Sequence, residues 1–88
     1  MPLYAIAYDI PDDRRRAKVA KLLKRYGKHV QYSVFELEVN RKLLLQALRE
    51  LRRHIDEEAD SVFVYTLAGA PQRLSGSLQV EEDDGFVV

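Results

Sequence analysis

The chain has 88 residues, 47% hydrophobic and 32% charged, a balance that suits one globular domain with a modest core. It has no cysteine, which excludes disulfides and thiolate metal sites, and no run approaches the roughly 20 apolar residues that cross a bilayer. The zero net charge hides a split: Met1 to His54 holds thirteen Lys or Arg against six acids, and Ile55 to Val88 one Arg against eight. The basic part suits a phosphate-bearing partner, or the two parts attract each other or a symmetry mate. The opening residues lack the basic region and long apolar stretch of a secretion signal, so a reducing cytoplasm is expected.

Leu3 to Tyr8 is an apolar run bounded by turn chemistry, the pattern of a buried strand, and it stops at a carboxylate, Asp9. An ionisable group at the end of a central strand is poorly placed for packing. Pro11 biases Ile10 away from helix, and Asp12 or Asp13 can accept from the free amides of a following helix. Arg14, Arg15 and Arg16 open that helix. Asp9 is either a functional acid or half of an Asx turn to Pro11.

From Asp13 to Tyr26 the apolar residues Val19, Leu22, Leu23 and Tyr26 keep helical spacing, and Gly27 ends the helix. Arg14, Lys21, Lys24 and Arg25 fall on its wet side, as a phosphate-facing or simply solvated surface. His29 to Val39 reads as strand, but its alternation changes phase between Val30-Tyr32-Val34 and Phe35-Leu37-Val39. A bulge or a tight hairpin near Ser33 must flip the register, leaving Gln31 and Ser33 beside the irregularity.

Asn40 is the expected N-cap of a second helix with a buried stripe of Leu44, Ala47, Leu48, Leu51 and Ile55, and with Arg41, Lys42, Arg49, Arg52 and Arg53 outside. His54 complements the helix end, since no second His or Cys stands at metal spacing. Asp60 to Leu67 is the next strand. Gln72 to Leu74 and Leu78 to Val80 are expected as short strands, Glu81 to Asp84 as a turn, and Phe86-Val87-Val88 as an apolar end docking on an edge strand, its own or a second subunit's. The order predicts an α+β sandwich with an antiparallel sheet and two helices on one face. A hairpin at the phase flip makes it the βαββαβ ferredoxin-like plan in a single domain, with a core over 3–67 and a docking segment over 70–88.

Tyr8-Asp9-Ile10, the arginines after it, Tyr26-Gly27, Val30-Gln31-Tyr32-Ser33-Val34-Phe35-Glu36 and Asp60-Ser61-Val62 together resemble the small Cas-two family of CRISPR-associated proteins. The resemblance covers about residues 3 to 67. It implies a ferredoxin-like homodimer whose C-terminal strand crosses to the partner, metal-dependent endonuclease activity on RNA or DNA, and an adaptor role between integrase (Cas-one) dimers in spacer acquisition. Where the family usually has Arg, this chain has His29, which would make a phosphate contact there depend on pH.

Phosphodiester hydrolysis needs a metal to neutralise charge and activate water, and Mg²⁺ favours carboxylates plus retained waters. One Asp9 per chain is a thin ligand set, which a two-fold axis would double by bringing two copies to one shared Mg²⁺. Tyr8 would orient or stack, Ser33 and Phe35 would line the approach, and Arg14, Arg15, Arg16, Lys18, His29 and Gln31 would meet nucleic acid. The competing readings are a non-catalytic adaptor holding duplex phosphate and a small-molecule regulatory domain. Against the last stands the lack of a Gly-rich ligand loop.

Overall fold

A computed structural model describes residues 2–67 and the backbone of 81–87. The chain runs β1 (Leu3–Asp9), α1 (Asp13–Leu23), β2 (Lys28–Gln31), β3 (Val34–Glu38), α2 (Arg41–Arg52), β4 (Ser61–Thr66) and β5 (Glu81–Val87). The strands form one antiparallel sheet in the order β2-β3-β1-β4-β5. This is the expected ferredoxin-like sandwich, with a fifth strand added beside β4.

Alternation along each strand decides the layers. Tyr4, Ile6 and Tyr8 of β1, Phe35 and Leu37 of β3 and Val62 and Val64 of β4 join Val19, Leu22 and Leu23 of α1 and Leu44, Ala47, Leu48 and Leu51 of α2 in one buried cluster. Each large apolar side chain buried there is worth about 1.5–3 kcal/mol of transfer free energy. The opposite parity, Leu3, Ala5, Ala7 and Asp9 of β1 with Val34 of β3 and Phe63 and Tyr65 of β4, turns to the face opposite α1 and α2. Phe63 and Tyr65 stack there at 6.4 Å.

The phase flip is a hairpin. Tyr32 and Ser33 form its turn, and a further register shift lies between His29 and Gln31. Asp12 caps α1 by accepting from the Arg15 amide at 2.9 Å, and Asn40 caps α2 by accepting from the Leu43 amide at 2.8 Å. Both caps satisfy amides that the helix itself leaves unpaired.

Three expectations on element bounds are corrected. The first helix stops at Leu23, where the Arg25 and Tyr26 amides bond Leu22 and Leu23 in tighter i to i−3 turns. The second stops at Arg52, so Ile55 packs on the core from the following loop. Glu81 to Asp84 is not a turn but part of β5, which pairs with the chain's own β4 (Phe63 with Val87, Val64 with Phe86). The expected strands at 72–74 and 78–80 lie outside the described residues.

Candidate functional site

Asp9 is the last residue of central strand β1, exposed, and paired through its Cα with Ser61, the first residue of β4. Three braced turns surround it. In the β1–α1 turn, Arg16 donates through Nη1 to the Ile10 carbonyl at 2.8 Å and pairs through Nη2 with Asp13. At the entry to β4, Arg15 grips Asp60 with two bonds, Nε to Oδ2 at 2.8 Å and Nη2 to Oδ1 at 3.1 Å. At the hairpin, the Tyr8 amide donates to the Ser33 carbonyl at 3.0 Å, tying the residue before Asp9 to the turn.

Asp60 is only 2% exposed and also accepts from the Asp56 amide at 2.9 Å. The Arg15 hydrogen bonds hold its carboxyl below the ordinary carboxylate value against the opposing effect of burial, so it stays ionised. A buried acid needs such a partner. Its only sequence signal is an acid placed just before an apolar strand.

Three rings form a row behind Asp9. Tyr8 stacks on Phe35 at 6.3 Å, and Phe35 lies nearly parallel to His29 at 4.3 Å and 3°. Burial raises the Tyr8 hydroxyl pKa, with Arg16 opposing, so the phenol keeps its proton at neutral pH. Phe35 is fully buried, which corrects the expectation that it lines an open approach: its ring supports Tyr8 and His29 from below. The exposed His29 places Nε2 2.9 Å from the Tyr32 carbonyl, and the nitrogen facing a carbonyl must be the one carrying hydrogen.

The structure therefore gathers Asp9, Tyr8, Ser33, Phe35 and His29 at one end of the sheet. Arg14 and Lys18 are exposed on α1 and Gln31 is exposed at the end of β2. Arg15 and Arg16 instead spend hydrogen bonds on the turns beside Asp9. Among the described residues no three His, Cys, Asp or Glu side chains come together as a metal cage. At this strand end Asp9 offers one exposed carboxylate, which is compatible with an ion such as Mg²⁺ that takes one or two carboxylates and keeps several waters.

The strand order and the two-helix layer make this a ferredoxin-like protein. Its sequence places it further: the model of the family described as CRISPR associated protein Cas2 matches residues 1–73, and the chain belongs to that family. It is 52% identical over 67 residues to CRISPR-associated endonuclease Cas2 2 of Thermus thermophilus, covering 76% of this chain and 74% of that protein. A crystal structure of a hypothetical protein from Thermus thermophilus superposes with a TM-score of 0.79 at 46% identity, over 91% of this chain and 98% of that one. A chain of a partial Cas6-RT-Cas1–Cas2 complex superposes at a TM-score of 0.58 with 30% identity, over 76% and 79%. Among the described residues no helix is long and apolar enough to cross a membrane.

Proposed function

We propose that this chain is a cytoplasmic, Mg²⁺-dependent endonuclease acting on RNA or DNA in CRISPR spacer acquisition. It works as a homodimer beside a Cas1-type integrase subunit. The observation that carries the reading is Asp9: an exposed carboxylate, ending a central strand, on the sheet face opposite α1 and α2. A second copy packed on the apolar residues of that face would bring its own Asp9 to the same end, completing a shared site. The Thermus relative is named an endonuclease, and the neighbour in a Cas1–Cas2 complex supports the integrase partner.

Asp9 would hold the metal, which when bound supplies a polarised water and neutralises phosphate charge. Exposed Arg14 and Lys18 attract the phosphodiester backbone. Tyr8, kept protonated, braces the strand end, and the bonds of Arg15 and Arg16 hold its turns. Water adds to phosphorus, the P–O bond to the leaving nucleotide breaks, and the departing oxygen takes up a proton. Replacing Asp9 by Asn should abolish cleavage while circular dichroism and the oligomeric state stay unchanged. Retained cleavage by that variant in a contaminant-free preparation would overturn the assignment.

The second reading, a non-catalytic adaptor bridging integrase subunits, draws on the same complex and on the exposed basic residues of α1 and α2. It predicts duplex binding that weakens steeply with salt but ignores Asp9→Asn. A parallel titration of binding and hydrolysis separates the two.

A further inference from the structure

We propose that Tyr32, at the tip of the β2–β3 hairpin, is a stacking platform for an unpaired nucleobase. It would be the side chain through which the site grips a single strand. This rests on the reading of the chain as a nucleic-acid enzyme and adds a binding residue to it.

Tyr32 is 84% exposed, far more than the other large apolar side chains on the described surface, Leu43 at 37% and Leu45 at 43%. The other aromatic rings among the described residues are committed elsewhere. Tyr4, Tyr8 and Phe35 are buried, Tyr26 is half-buried with its hydroxyl on Glu50, and Phe63 and Tyr65 stack on each other. An exposed ring with no protein side chain stacked on it keeps a π-face open to a ligand.

The backbone beneath the ring is fixed on both sides. His29 Nε2 donates to the Tyr32 carbonyl at 2.9 Å, and the next residue, Ser33, accepts from the Tyr8 amide at 3.0 Å. A ring on so short and braced a turn loses little freedom when a base settles on it. One hydrogen bond separates Tyr32-Ser33 from Tyr8-Asp9, so the platform stands beside the candidate reacting carboxylate. A base in a single strand offers an open π-face to such a ring, whereas a duplex keeps its faces covered.

The test measures binding of short oligonucleotides of one sequence as single-stranded RNA, single-stranded DNA and duplex, with Ca²⁺ replacing Mg²⁺ so that strands are not consumed. Tyr32→Ala should weaken single-strand binding about five- to a hundredfold, Tyr32→Phe less than about twofold, and duplex binding should change less than about twofold with either. The RNA and DNA arms show which sugar the platform serves. Because the chain has no Trp, Tyr32→Trp places one indole reporter in the protein. Its fluorescence should be quenched by a single strand and not by the same strand made abasic. If wild type binds single strands but Tyr32→Ala binds equally well, or loses single-strand and duplex affinity alike, the platform is overturned while the enzymatic reading stands. If wild type binds no oligonucleotide of any kind, both fall.

Discussion

Replacing Asp60 by Asn tests whether the Arg15–Asp60 grip holds the entry to β4. The carboxylate accepts Arg15 Nε at 2.8 Å, Arg15 Nη2 at 3.1 Å and the Asp56 amide at 2.9 Å, and its side chain is wholly buried. An asparagine keeps the volume but sets an NH₂ donor against a guanidinium donor. Losing a hydrogen bond to a charged group costs roughly 1.5–3 kcal/mol. The Arg15 side chain is 30% exposed and can turn toward water, which holds the expected loss near the middle of that range, about 2 kcal/mol. For a chain of this size that lowers the melting temperature by roughly 8–16 °C. The measurement is thermal and urea unfolding at one fixed protein concentration, since any self-association adds to apparent stability. The pH dependence supplies a second check. The Asp60 pKa is lowered on folding from the ordinary 3.8, so its contribution is complete above that value and disappears as pH falls through the folded one. The gap between wild type and variant should be full at neutral pH and close in acid. A variant within about 0.5 kcal/mol of wild type at neutral pH, or a gap unchanged in acid, would refute the reasoning.

Two further substitutions test how the helices are set on the sheet. A methyl on Gly27 would run into the Glu36 carbonyl, where only backbone stands, so Gly27→Ala should destabilise by about 1–3 kcal/mol in urea unfolding and loosen amide exchange in β2 and β3; an unchanged midpoint would contradict the close approach. Tyr26 donates to Glu50 Oε2 at 2.9 Å and accepts from Gln46 at 3.3 Å, joining the turn after α1 to α2, so Tyr26→Phe should cost about 1 kcal/mol in the same assay. No measurable loss would mean that water serves these groups equally well.

The features legible in the sequence are those written within a few neighbouring residues. Asn40, and Asp12 as one of two adjacent candidates with Asp13, are legible as caps because a capping side chain serves amides only three positions away. The change of parity between Val34 and Phe35 calls for a bulge or a hairpin, because a strand cannot switch faces without an irregularity, and the structure holds the hairpin. Asp9 stood out as an acid closing an apolar run. What stayed hidden depends on distant partners: that Arg15 turns to Asp60, forty-five positions away, follows only from the helix crossing the start of β4. Phe35 shares its parity with Leu37 and Val39, and the structure buries it with them in the core rather than along the approach. Glu81 to Asp84 looked like a turn by composition, and pairing with β4 overrode that local preference.

The position of β5 fixes what guards the rim of the sheet. With the order β2-β3-β1-β4-β5, β4 has β1 on one flank and β5 on the other. A chain cut after Leu67 would bare a row of unpaired amides and carbonyls along β4, next to Phe63 and Tyr65, a template for any extended segment that drifts past. The last strand therefore also serves solubility: it is the cover that keeps one molecule from zipping indiscriminately onto another.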